Sequence, residues 1–210
     1  MRPLTLAIPG GGIYFYHMAG QISYLREAYP EALLPSSPDR VGLCGASAGA
    51  LAATLAAYDI SFEDATNCAI DLSTEIGLWD RPLGLAFVWG ALIEEWLDKL
   101  LPPSEVFEAP SDGILSLLVS PATPPSCFGL TPRDRVDSFE SREDLLAANM
   151  ASIHIPFFLD SKFSRPFRGA KYVDGSFQSK PSDHSNGSGD VVTLDYAGDE
   201  LLSSSAGGAD

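Results

Sequence analysis

The chain has 210 residues, enough for one sizeable domain with a real core, and its 45% hydrophobic and 20% charged composition is that of a globular rather than a disordered protein. A formal net charge of −15 argues against a nucleic-acid partner and against unaided electrostatic attraction to anionic lipid. Any membrane contact is then mainly apolar, or made through a local basic patch.

Leu4 to Ile8 is an apolar run halted by Pro9 and three glycines, which predicts a buried strand and a tight turn. From Phe15 to Ala28 the spacing becomes helical, with Phe15, Met18, Ile22, Leu25 and Ala28 three or four apart. After the loop "PSSPDR", Val41 to Cys44 reads as a second strand, and the alanine-rich stretch Ala48 to Tyr58 as a helix that follows Ser47 directly. Phe62 to Ile76 is a further helix. The segment "LGLAFVWGALIEEWLDKLLPP" runs into an amphipathic helix with Leu92, Trp96 and Leu100 on one stripe, read as a core helix rather than a lipid-inserting one. Ile114 to Ser120 predicts a third strand, Arg142 to Ile153 a helix, "IPFFLD" an extended apolar stretch, and Lys171 to Val173 a short strand. Beyond Lys180 the composition turns to Ser, Gly and Asp without Lys or Arg, a solvated tail or an incompletely supported sheet edge in which Val191 to Tyr196 is the only strand-like island and candidate edge strand. Strands alternating with helices imply an α/β sheet flanked by helices, with its site at the carboxyl ends of strands.

Two charge-free stretches, Pro3 to Leu25 and Val41 to Tyr58, raise the question of a membrane span, but glycines and Pro9 break them. No transmembrane span is expected, nor a secretory signal, so the sequon at Asn186 carries little weight. Cys44, Cys68 and Cys127 are odd in number and lack metal-ligand spacing; they read as free thiols in a reducing, cytoplasmic compartment, with Cys44 a small core residue.

Three motifs fall just after predicted strands. Gly45-Ala46-Ser47-Ala48-Gly49 satisfies Gly-x-Ser-x-Gly, and its strand–turn–helix context is that of an elbow presenting a nucleophilic serine at a helix N-terminus. Gly10-Gly11-Gly12 can aim backbone N–H groups at a developing oxyanion; the Lys of a phosphate loop and the third Gly of a dinucleotide fingerprint are both missing. Asp174-Gly175 is on its own an ordinary turn dipeptide, raised in interest by its place after a strand.

"GGGIYFYHMAG", "GASAGA" and "DGS", in this order, resemble the patatin-like phospholipases, with a nearer likeness to the adipose triglyceride lipase-type branch through Phe15 and Gly20. "WLDKLLP" and "ANMASIHIPFF" extend the resemblance from about Leu4 to Pro181. It implies a three-layer α/β sandwich with a mostly parallel central sheet, formed by an acyl hydrolase domain over 1–181 and followed by an acidic segment over 182–210. It implies further a Ser47–Asp174 dyad, an oxyanion loop at Gly10, Gly11 and Gly12, elbow glycines Gly45 and Gly49, and hydrolysis of lipid esters without metal or cofactor at a membrane or lipid-droplet surface. The sequence departs from the family pattern at three places. Ile13 and Tyr14 stand where many members carry a basic residue, Ser176 follows Asp174-Gly175 in place of Gly or Ala, and the chain ends early, as a truncated domain would.

Two rival readings stay open. An α/β-hydrolase triad would take Ser47, Asp174 and His184 in chain order, although "SDHSNGSGD" looks too flexible to fix an imidazole, and His17 and His154 read as structural. A catalytically inactive lipid-binding protein is the other. Lys162, Arg165, Arg168 and Lys171 form the one basic cluster, facing lipid headgroups or paired internally.

Overall fold

A computed structural model describes residues 4–123, 133–177, 181–185 and 189–196; Cys127 and Asn186 lie outside them. β1 (Leu4–Ile8), β2 (Gly42–Ala46) and β3 (Leu115–Pro121) form the parallel centre of the sheet. β4 (Asp134–Val136), β5 (Arg165–Phe167), β6 (Ala170–Val173) and β7 (Asp190–Thr193) complete it in the order β5-β6-β3-β2-β1-β7, with β4 beside β3. The helices that flank it are α1 (Phe15–Ala28), α2 (Pro30–Leu33), α3 (Ala48–Ala57), α4 (Phe62–Glu75), α5 (Trp89–Leu100) and α6 (Arg142–Ser152). The architecture is mixed α/β, as the alternation of elements predicts.

Local chemistry explains the boundaries. Ser61 and Ser141 cap α4 and α6 by accepting the amide hydrogens of Asp64 and Asp144, each at 3.2 Å. Arg40 donates to the carbonyls of Ala56 and Ala57 at the end of α3, where a cation suits the negative end of the helix. Every residue of α3 is buried, and its alanines let it lie close against the sheet. The stripe on α5 faces the core: Leu92 and Trp96 are buried, and Trp96 Nε1 donates to Ala65 O at 2.7 Å.

The main core gathers Leu43, Leu115 and Leu117 with the helices, whereas Cys44, Ala46 and Leu118 form a separate small cluster. Alternate strand residues point to opposite faces, so this second cluster belongs to the other side of the sheet.

One element differs from expectation, the direction of another is set only by its pairing, and a third realises the strand-like island of the acidic segment. "IPFFLD" is a turn rather than an extended run, with only Leu159 buried and Phe157 at φ 65°. β6 runs antiparallel to β3, pairing Val173 with Ser120, so Asp174 enters from the opposite direction to the central strands. The acidic segment adds an ordered strand: β7 pairs in parallel with β1, and Leu194 is buried. Among the described residues no helix is long and apolar enough to cross a membrane.

Candidate active site

Ser47 stands between β2 and α3 with φ 53° and ψ −126°, a positive-φ backbone that costs a non-glycine residue about 1–3 kcal/mol. Packing imposes it. A Cβ on Gly49 would collide with the carbonyl oxygens of Ile8 and Pro9, and one on Gly45 with the backbone of Gly49. These two glycines therefore let α3 begin hard against the end of β1. The hydroxyl of Ser47 caps none of the first N–H groups of α3, which have no acceptor within the helix. It lies instead at the positive end of that helix.

The Ser47 hydroxyl donates to Asp174 Oδ2 at 2.6 Å, and both residues are buried. Asp174 Oδ1 accepts from the amide of Ser176 at 2.8 Å and from its hydroxyl at 2.5 Å. The Asp174 main chain is fixed at both ends, its N–H donating to His154 O at 2.8 Å and its carbonyl accepting from Ser120 Oγ at 2.7 Å. Burial pushes the Asp174 carboxyl above the usual range, against the hydrogen bonds from Ser176 and Ser47 that favour its ionised form.

Gly10 packs against Ser47 and Ser176; a side chain there would occupy the space of both. Gly11 accepts the Tyr14 amide at 3.1 Å, and Gly12, at φ 54°, opens the short turn Gly12–Tyr14. So Ser47, Asp174, Gly45, Gly49 and the start of the glycine loop come together, with Ser47 and Asp174 alone 127 positions apart.

Three contributors are not among the site residues expected from the sequence. Ser152 accepts the Ser47 amide hydrogen at 3.0 Å, donates to Leu118 O at 2.7 Å, and through its carbonyl accepts from Gly175 at 2.7 Å. Ser176 was legible only as a small residue, not as a double donor to Asp174. Tyr196, just past β7, stacks on Tyr14 at 4.2 Å between ring centroids and donates to Gly10 O at 3.2 Å.

The Ser47–Asp174 bond is direct, with no imidazole between the two side chains. His154 is fully buried, with Nε2 3.2 Å from Lys162 O, and burial holds its pKa down. His184 is buried in the turn Pro181–His184 rather than loose in a linker, and the neighbouring Asp183 carbonyl accepts from Arg135 at 3.1 Å. His17 lies on α1. Cys44 is buried and its thiol is pushed up to about 11 by burial, consistent with an unreactive core residue.

Of the basic cluster, Arg165 pairs with Glu94 at 2.8 Å, Arg168 with Asp144, and Lys162 with Asp160 at 3.8 Å. Internal pairing, rather than a bare cationic face, describes three of the four.

The fold and this arrangement define an α/β protein with a buried serine elbow facing a carboxylate. The model of the patatin-like phospholipases matches residues 6–181, and the chain belongs to that family. No curated protein and no solved structure matches it. Membership supports a lipid acyl hydrolase activity in general.

Proposed function

We propose that the protein cleaves carboxyl esters of phospholipids or acylglycerols through a Ser47–Asp174 dyad. The observation that carries the reading is the 2.6 Å hydrogen bond from Ser47 Oγ to Asp174 Oδ2 at a buried, strained elbow. Asp174 takes the hydroxyl proton as Ser47 Oγ attacks the acyl carbonyl carbon. The oxyanion of the tetrahedral intermediate is met by N–H groups of the loop Gly10, Gly11 and Gly12 and by the N-terminus of α3. Collapse returns the proton to the departing alcohol and leaves an acyl-Ser47. Water then attacks the acyl carbonyl, giving its proton to Asp174, and the carboxylic acid leaves as Ser47 is reprotonated.

Several features support this reading. Burial raises the basicity of Asp174, and its direct bond to Ser47 requires no imidazole. Phe15, packed edge-on against Phe62 and Trp96, and Gly20 carry the likeness to the adipose triglyceride lipase-type branch, so acylglycerols belong in the substrate panel. We take 1–181 as the hydrolase domain and 182–210 as a segment that lends it β7 and Tyr196. The free thiols Cys44 and Cys68 suit a cytoplasmic enzyme working at membrane or droplet surfaces.

The test combines labelling with a fluorophosphonate probe and hydrolysis of short- and long-chain p-nitrophenyl esters. The adduct is expected on Ser47 and turnover is expected to vanish in Ser47→Ala; an adduct elsewhere, or none on folded protein, overturns the assignment. His184→Ala is expected to keep most activity. A thousandfold loss of kcat in folded His184→Ala, about 4 kcal/mol, would instead establish a triad.

A further inference from the structure

We propose that two aromatic loops, around Phe87 and around Phe157 to Phe163, form the face by which the protein docks on a lipid surface, inserting their rings rather than attracting headgroups by charge. The inference rests on the lipid-hydrolase reading for its choice of partner. The loops are one structural unit: Phe87 N donates to Phe158 O at 2.8 Å, and Gly90 N donates to Leu159 O at 3.3 Å. Leu159 is buried and anchors the second loop, while Phe87, Phe157 and Phe163 stay 52%, 59% and 48% exposed. The rings of Phe157 and Phe163 lie 5.9 Å apart. Water-facing aromatic surface of this kind gains free energy on transfer to an apolar medium.

Two further observations point to use rather than accident. Phe87 and Phe157 both have positive φ, 67° and 65°, a backbone disfavoured for bulky side chains and readily taken by Gly or Asn. Both side chains stay exposed, so burial in the core does not offset the strain. The second loop is also tied to the site. His154 passes its carbonyl to the Asp174 amide at 2.8 Å, and its ring sits 3.2 Å from Lys162 O, which also accepts from Phe157 N at 2.8 Å.

Charge selects the mode of attachment. With a net charge of −15 and Lys162, Arg165 and Arg168 paired to carboxylates, electrostatic capture by an anionic membrane is a poor drive. Apolar insertion of aromatic side chains remains, and it is insensitive to salt.

The experiment is sedimentation of the full chain with zwitterionic phosphatidylcholine vesicles at low and high salt. The wild type is expected to bind at both. The double variant Phe87→Asn/Phe157→Asn is expected to lose at least tenfold in partitioning, to melt no lower than the wild type because the strain is relieved, and to keep hydrolysis of a soluble short-chain ester. Should the double variant fail to fold, Phe163→Ser, at an ordinary backbone position, is expected to lose at least threefold. Unchanged partitioning in these variants overturns the proposal and leaves the face to another partner; so does binding by the wild type that disappears at high salt, or no binding at all. If the wild type binds vesicles through these residues yet hydrolyses no ester, the hydrolase reading fails and the docking face stands.

Discussion

Ser152 accepts the amide hydrogen of Ser47 at 3.0 Å across 105 positions of chain, while its own carbonyl accepts from Gly175, the neighbour of Asp174. One fully buried residue therefore sets the position of both halves of the proposed dyad. Ser152→Ala leaves the buried Ser47 N–H without its acceptor, a cost of about 1–3 kcal/mol. The melting temperature is expected to fall by about 2–4 °C per kcal/mol for a chain of this size. Ester turnover is expected to fall further, about tenfold or more, through kcat rather than KM, because the elbow is displaced and the substrate surface is not. Calorimetry and steady-state kinetics on the same preparation check both.

The strain at Ser47 is separately measurable. Ser47→Ala and Ser47→Gly both remove the hydroxyl and its bond to Asp174, so both are expected to be inactive. Only glycine relaxes the positive φ of 53°. Ser47→Gly is thus expected to be the more stable of the two, by about 1 kcal/mol, in denaturant titration. Equal stabilities would mean that the elbow holds no strain.

Much of this arrangement was legible in the sequence where chemistry is local. The helix Phe15 to Ala28 has the predicted ends because Phe15, Met18 and Ile22 lie on one buried face. The elbow was legible because Gly45 and Gly49 are required by a close approach that crowds out any side chain. The rest depended on distant partners. "IPFFLD" is apolar, and an apolar run predicts buried extended chain, yet only Leu159 goes inside. The sequence leaves the direction of β6 open, because it is set by antiparallel pairing with β3, which no local pattern encodes. His184 reads as loosely held from composition alone, which does not reveal that its turn is bonded to Arg135. Ser152 meets Ser47, and Tyr196 meets Gly10, across more than 100 positions of chain.

Tyr196 offers a test of the glycine loop without touching it. Tyr196→Phe removes the hydrogen bond to Gly10 O and keeps the stack on Tyr14, whereas Tyr196→Ala removes both. If Gly10 to Gly12 bind the oxyanion, kcat is expected to fall severalfold in the first and about tenfold or more in the second, as donor alignment loosens. The measurement is kcat for a soluble ester, with the phosphonate labelling rate as a second readout. Wild-type kinetics in Tyr196→Ala would show that the residue beyond β7 does not order the loop.

The raised pKa of Asp174 makes a prediction in which activity and stability move oppositely with pH. A base must be ionised, so kcat/KM is expected to rise through an acid limb lying above the ordinary aspartate value of about 3.9. For stability the sign follows from proton counting. Between the unfolded and folded pKa values the native state binds more protons than the unfolded chain, so stability falls as pH rises through that window and the loss persists above it. Asp174→Asn removes the titrating group and nearly keeps its shape. It is expected to be inactive, to melt above the wild type at neutral pH, and to lose that advantage when the pH is lowered beneath the unfolded aspartate pKa. Melting curves across this range, run beside the kinetic pH profile, decide the matter. An acid limb at or below the ordinary aspartate value, or an Asp174→Asn advantage that grows on acidification, would mean that burial does not tune this carboxylate as a base.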